Sequence, residues 1–173
     1  RDKFVALDKS RQLVTKNFQN ETTKKSNPPL PGIDGLFAAG VSGRVILRSD
    51  DRVVLYDVLA RKVVNEIQVP RVKYVVWNAD YSMVAIISKH QIALASKHFE
   101  QICSINETVR VKGGCWDGKK PVFVYTTLNH VKYVLPTGDG GIIRGLDVPI
   151  YVTKLQGNSL HCLDREGKTR TLE

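Results

Sequence analysis

The sequence predicts an all-β protein, and more specifically an incomplete β-propeller. Its apolar segments are short runs rich in Val, Ile, Tyr and Trp, separated by short polar joints. Runs of this length are too short for helices and are typical of β-strands joined by hairpins. The runs also recur at a fixed interval along the chain, in groups of four. Together these observations predict repeated four-stranded units, which are the blades of a propeller.

The repeat has a constant step and needs no insertion or deletion to keep its register. Its blocks begin at Ile33, Val72, Val111 and Ile150. The third strand of each block begins at the same distance from the block's start, at Arg52, Gln91, His130 and Thr169. A four-stranded unit of about 40 residues is the pattern of a blade of the WD-repeat type. The chain is therefore predicted to contain about four and a half blades.

The first blade piece, residues 1–31, is irregular. Counting back from the next blade places a second strand at Phe4 to Leu7 and a third strand at Leu13 to Phe18, so the first strand is expected to precede residue 1. The segment NETTKKSNPPLPG that follows has little apolar content and three prolines. Because proline cannot donate a ladder hydrogen bond, we expect this segment to be an edge strand or an exposed crossover.

The three middle pieces, residues 32–70, 71–109 and 110–148, are predicted to be nearly complete blades. Runs such as RVILR and RVVLYDV are apolar at neighbouring positions. This continuity is expected where a blade packs against other blades on both of its faces. In the last of these pieces, Asp117-Gly118, Leu128-Asn129 and Gly138–Gly141 are predicted to form the turns.

The final piece, residues 149–173, has three predicted strands. We therefore expect residues 1–173 to be part of a single propeller, belonging to a longer polypeptide. Open blade edges invite strand pairing, so flanking residues or a second copy of the chain are expected to cover them.

Composition favours a basic protein with reduced thiols. The net charge is +9, which favours acidic partners, although the basic residues are spread through loops without an aromatic-interleaved stripe. Cys103, Cys115 and Cys162 are odd in number and widely spaced, as expected of partly buried thiols in the cytosol. Asn20-Glu21-Thr22 and Asn106-Glu107-Thr108 match the glycosylation sequon, a motif too short to be informative.

No catalytic, cofactor-binding or metal-binding residues are predicted. His90 and His130 lie at equivalent ends of the third strands of successive blades, but no CxxC, HxH or HExxH spacing accompanies them. The GDGG segment lacks the following Lys-Ser/Thr of a phosphate loop, and no GxSxG occurs. We expect a rigid, non-catalytic platform that binds other proteins through its loops, with no assignable partner-binding residues.

Four longer segments carry a resemblance to a known family, although the Trp-Asp dipeptide of WD repeats is reduced to Tyr56-Asp57 in one blade. The segments are ALDKSRQLV, VKYVVWNADYS, VFVYTTLNHVKYVLPTGDGGIIRGLDVPIYVT and LHCLDREGKTRTL. They resemble the coatomer alpha-subunit family of the COPI vesicle coat, in its second propeller or WD-associated region. The resemblance covers essentially the whole chain.

The resemblance implies a structural coat protein in vesicle transport between Golgi and endoplasmic reticulum. It implies a cytoplasmic protein, peripheral on Golgi and COPI vesicle membranes, with the beta-prime and epsilon coatomer subunits as partners and no nucleic acid. Recognition of dilysine cargo is attributed in that family to the amino-terminal propeller, so no cargo-binding residue is carried over. Trp77 and Trp116 are expected in the inter-blade core.

Two other classes of function remain open from the residues alone. A basic nucleic-acid-binding propeller, or another WD-repeat scaffold, would also carry a positive charge, and nucleic-acid affinity would fall steeply with salt. A propeller hydrolase would need a convergent site in its central channel, which the sequence does not indicate.

Overall fold

The computed structural model describes residues 3–173, which form strands and turns with no helix in that range. The strands of this range make five antiparallel sheets, each with its strands in sequential order, as expected for propeller blades. Over the same residues, no helix has the length and apolar character that a membrane span requires. The chain divides between Arg71 and Val72 into two compact units.

The first unit contains two sheets. One is formed by β1 (Lys3–Leu7), β2 (Leu13–Asn17) and β3 (Thr22–Ser26), and the other by β4 (Gly35–Ala38), β5 (Arg44–Arg48), β6 (Val53–Asp57) and β7 (Lys62–Ile67). The sequence predicts an edge strand or an exposed crossover for the segment NETTKKSNPPLPG. Its first part forms β3 at the outer position of the sheet, and its prolines follow β3 in a connection without strand structure. The first two residues of the predicted 1–31 piece lie outside the described residues.

The second unit contains three sheets. They are formed by β8 (Tyr74–Trp77), β9 (Met83–Ile87), β10 (Gln91–Ser96) and β11 (Gln101–Asn106); by β12 (Gly113–Trp116), β13 (Phe123–Thr126), β14 (His130–Val134) and β15 (Gly140–Gly145); and by β16 (Ile150–Gln156), β17 (Ser159–Asp164) and β18 (Thr169–Leu172). The predicted third strands at Gln91, His130 and Thr169 begin where the sequence places them.

The central strands bury both faces, as their continuous apolar runs predict. On β13, Phe123 and Tyr125 pack with residues of β9 and β10, whereas Val124, between them, packs with residues of β16 and β17. Alternate side chains of one strand thus contribute to two different inter-blade cores. The first unit has its own core, formed by Leu13, Ile33, Val45, Leu47, Tyr56 and Val58.

The two tryptophans differ in burial. Trp116 is 7% exposed, meets the Phe123 ring edge-on at 5.2 Å, and donates its Nε1–H to the Val76 carbonyl oxygen of the preceding blade at 2.8 Å. Trp77 is only partly buried, and the half-exposed ring of Tyr81, in the turn after β8, lies beside it with a centroid distance of 6.1 Å. The expectation of a buried inter-blade core position is confirmed for Trp116, whereas Trp77 is only partly buried.

Five hairpin turns of the described chain share one backbone geometry. The N–H of the fourth turn residue donates to the carbonyl of the first, and the N–H of the first donates to the carbonyl of the fifth. The fourth residue has a positive φ, which suits a three-residue hairpin loop ending in the left-handed region. These residues are Arg11, Asn20, Phe99, Gly138 and Gly167.

The predicted turns of the fourth blade are confirmed with one correction. Asp117-Gly118 and Leu128-Asn129 connect strands, and Gly138 occupies the left-handed turn position. Gly140 and Gly141 are wrong as turn residues, because β15 begins at Gly140. A Cβ at Gly140 would lie 2.5 Å from the Tyr133 carbonyl oxygen, so glycine here permits the close approach of two strands.

Trp116→Ala is expected to lower the free energy of unfolding by about 3 to 5 kcal/mol, because it removes a buried aromatic ring and leaves a cavity between two blades. Urea unfolding of the purified protein measures this. Trp77→Ala is the matched control and should cost clearly less, since its ring is partly exposed. Equal losses for the two variants would contradict the inter-blade role of Trp116.

Gly167→Ala is expected to cost about 1 to 2 kcal/mol, because a Cβ at a left-handed residue meets its own backbone. Gly167 has φ +78°, and a Cβ added there would have no neighbouring atom within 4 Å. The cost of the substitution therefore comes from the backbone conformation and not from contacts with other residues. Gly118→Ala also has open space and lacks that backbone conformation, so it should be neutral or stabilising. Thermal unfolding compares the two, and a neutral Gly167→Ala would refute the assignment.

Candidate functional site

The two histidines that the sequence places at equivalent repeat positions lie at the starts of the third strands of successive blades. His130 opens β14 and His90 immediately precedes β10, in keeping with their equivalent repeat positions. The Nδ1 of His90 lies 3.2 Å from the carbonyl oxygen of Glu107. Within residues 3–173, no three His, Cys, Asp or Glu side chains are grouped so as to hold a metal ion.

The three cysteines are free thiols, and burial makes them poor nucleophiles. Cys115 and Cys162 are buried in the same inter-blade core. Burial, followed by the neighbouring Cys162, raises the pKa of Cys115 to about 12. Burial also raises the pKa of Cys103 and of Cys162. Neutral thiols are the form expected near pH 7, so these residues suit packing better than nucleophilic catalysis.

A polar cluster between two blades is centred on Glu107, in the linker that follows β11. Its Oε1 accepts hydrogen bonds from the Tyr125 hydroxyl at 2.5 Å and from the Lys132 Nζ at 2.6 Å. The Glu107 side chain is 11% exposed and that of Lys132 is 24% exposed. Tyr125 and Lys132 lie on β13 and β14, so one carboxylate connects the linker to the next blade.

The Glu107 cluster lies beside a cleft of about 300 Å³, one wall of which is formed by Gly140 and Gly141. Burial and the neighbouring Glu107 carboxylate raise the pKa of Tyr125, so its hydroxyl remains a hydrogen-bond donor. The ammonium of Lys132 balances the charge of Glu107. Because each group already has a partner, the cluster is suited to joining blades.

Four basic residues come together at another place in the second unit: Lys73, Lys89, Arg110 and Lys112. We call this set the basic corner. The N–H of Lys73 donates to the Ile87 carbonyl at 2.8 Å, and the N–H of Val111 donates to the Lys89 carbonyl at 2.9 Å. These bonds bring the three segments that carry the basic residues side by side.

The sequence interpretation of basic residues scattered through loops missed both the basic corner and the Glu107 cluster. Residues far apart in sequence form each of them, so composition could not reveal either. One signal was present, since Lys73 and Lys112 each follow the first residue of a block and so occupy the same repeat position. Glu107 carried no useful signal, because it stood out only within a sequon.

Solved structures support the fold. The chain is similar to the dihydro-heme d1 dehydrogenase NirN in complex with DHE, with a TM-score of 0.70 and 15% identity over 99% of this chain and 41% of that one. It is also similar to the computationally designed Ika4 protein, with a TM-score of 0.61 and 12% identity over 81% of this chain and 89% of that one. At these identities the likeness concerns the fold alone.

Sequence relatives are much closer. The chain is 52% identical to coatomer subunit alpha-2 of Arabidopsis thaliana, covering 99% of this chain and 14% of the relative. It is 41% identical to coatomer subunit alpha of Dictyostelium discoideum over 100% of this chain, and 40% identical to that of Saccharomyces cerevisiae over 99%. Each of these two alignments also covers 14% of the relative.

The resemblance inferred from the residues is therefore confirmed over the full chain, which spans about 14% of the length of the relatives that it matches. A family model described as the COPA/B second beta-propeller matches residues 1–164. The chain belongs to the COPA/B second beta-propeller family.

Proposed function

We propose that this chain is a non-catalytic structural part of the COPI vesicle coat, acting as a protein–protein interaction scaffold in transport between Golgi and endoplasmic reticulum. One observation carries the proposal, namely the match of residues 1–164 to the COPA/B second beta-propeller. The relatives that bear the name coatomer subunit alpha, similar along the whole chain, add support.

The geometry of the sheets is consistent with a scaffold. In the second unit, β13 packs on two neighbouring sheets, and Trp116 and Glu107 add polar bonds between blades. A body built this way holds its loops in fixed positions, where they are available to partners. The repeat register that continues unbroken from Ile33 to Ile150 supports treating residues 1–173 as part of one propeller.

The partners that we propose are other coatomer subunits, beta-prime and epsilon among them. We also propose that the protein is cytoplasmic and associates peripherally with Golgi and vesicle membranes. A net charge of +9 would assist approach to an anionic leaflet, because basic residues near such a surface are attracted to it. Liposome binding that does not depend on the fraction of anionic lipid would contradict this electrostatic contribution.

Glu107→Ala is expected to lower the free energy of unfolding by about 3 to 5 kcal/mol, because it leaves the ammonium of Lys132 partly buried without its partner. Tyr125→Phe is the matched control: it removes one hydroxyl donor and should cost only about 1 kcal/mol. Chemical denaturation of both variants measures the difference. A Glu107→Ala protein as stable as the unchanged chain would contradict a structural role for the cluster.

The scaffold proposal itself is tested by affinity purification of the tagged complete polypeptide from its own cytosol. Mass spectrometry of the bound proteins should find coatomer subunits in stoichiometric amounts, with a tag-only bait as control. Recovery of RNA-associated proteins, surviving only at low salt, would instead support a nucleic-acid-binding propeller. Recovery of neither would refute the proposed assembly.

A further inference from the structure

The basic corner is built so that its charged side chains face solvent. Val72 and Val111 are buried, each beside a lysine or arginine of the corner. Where an extended segment turns one side chain inward, its immediate neighbours point outward. Lys73 and Arg110 are accordingly exposed and Lys112 is partly exposed, and Lys89, in the turn before β10, is exposed as well. The buried valines therefore fix the segments from which the cations project.

No acidic side chain neutralises the corner. Among residues 3–173, none of its four members forms an ion pair. The nearby Glu107 is largely buried and paired with Lys132. The pKa of Lys73 is lowered by slight desolvation and then by the charges of Arg110, Lys89 and Lys112. The four cations thus repel one another, which an anionic partner would relieve.

The fold does not require cations at these positions. In the preceding repeat, the positions equivalent to Lys73 and Lys89 are occupied by Asp34 and Asp50. The Asp34 carboxylate accepts a hydrogen bond from the Arg48 Nε at 2.9 Å, so in that blade the charge at this position is paired with an arginine of the same blade. The same repeat position can therefore carry either sign of charge, and the uncompensated basic corner is a particular property of the third and fourth blades.

We propose that the basic corner is a docking surface for an acidic polypeptide segment of a partner protein. Its charge is complementary to a short run of Asp and Glu residues, whose carboxylates would pair with the ammonium and guanidinium groups. The inference rests on the proposed function, since a scaffold acts through protein partners.

A bilayer or a nucleic acid fits the corner less well. Membrane-binding surfaces combine basic residues with inserted Leu, Phe or Trp side chains, and no Leu, Phe or Trp is adjacent in sequence to any of the four corner residues. Proteins that bind single-stranded nucleic acids stack the bases on several aromatic rings. Among the sequence neighbours of the corner residues there is one Phe, Trp or Tyr, namely Tyr74 beside Lys73. A polypeptide needs only the charges that the corner presents.

The first test uses the complete polypeptide and a fluorescent peptide of alternating Glu and Gly, followed by anisotropy at moderate salt. The triple variant Lys73→Glu, Lys89→Glu and Lys112→Glu should weaken binding at least about tenfold, as expected when several close charge pairs become repulsive. The control Lys97→Glu, Lys119→Glu and Lys120→Glu changes net charge equally. It should weaken binding less than about threefold, because these lysines lie beyond the opposite ends of β10 and β12 from Lys89 and Lys112, where salt screens their charges from the corner.

The second test needs no substitution and locates the peptide directly. Amine acetylation of the unchanged protein, read by mass spectrometry, should show protection of Lys73, Lys89 and Lys112 by saturating peptide, while Lys119 and Lys120 remain reactive. Absent or uniform protection would overturn the proposal, as would equal losses in the two triple variants. Tighter binding to charge-matched anionic vesicles or single-stranded RNA than to the peptide would also overturn it.

The two proposals fail separately. If coat subunits co-purify with the complete polypeptide but the peptide neither binds nor protects the corner lysines, only the docking surface is refuted. If the peptide protects the corner but coat subunits do not co-purify, the docking surface stands and the proposed assembly is refuted.

Discussion

The structure depends on one constraint: a short central strand gains most of its stability by burying both of its faces against neighbouring blades. A single four-stranded sheet cannot do this, because one face would remain in water. On β13, Phe123 and Val124 point into two different cores although they are adjacent in sequence. Stability is therefore shared between blades, which is typical of repeat architectures, and the loss of one interface affects the sheets on both sides of it.

Polar contacts between blades supplement this packing where apolar atoms cannot. The indole N–H of Trp116, the hydroxyl of Thr126 and the carboxylate of Glu107 each bond across a blade boundary. Such bonds have directional geometry, so they favour one relative placement of neighbouring sheets more strongly than dispersion forces do. They give the second unit the defined surface that the scaffold and docking proposals both need.

The sequence predicted those features that follow from local chemistry and from the repeat. The constant repeat step located the third strands, and Asp117-Gly118 marked a true turn. Prediction from the sequence failed where the outcome depends on contacts between segments that are far apart in the chain. Trp77 and Trp116 share a repeat position, yet Trp116 is buried and donates to a carbonyl of the preceding blade, whereas Trp77 is only partly buried. The buried Phe99 adopts a left-handed turn conformation that no propensity for phenylalanine would suggest. The Glu107 cluster gave no signal in the sequence, and the basic corner gave only the shared repeat position of Lys73 and Lys112, because each is assembled from several segments.

Native-state hydrogen exchange, resolved by residue, tests the central constraint most directly. If burial on both faces carries the stability, the amides of β9, β10 and β13 should exchange only through the largest unfolding events, and those of the outer strands β11 and β15 through smaller openings. Equal protection of β13 and β15, or faster exchange in β13, would contradict the account, because the strand packed between two blades would then be no more stable than the strand at the edge.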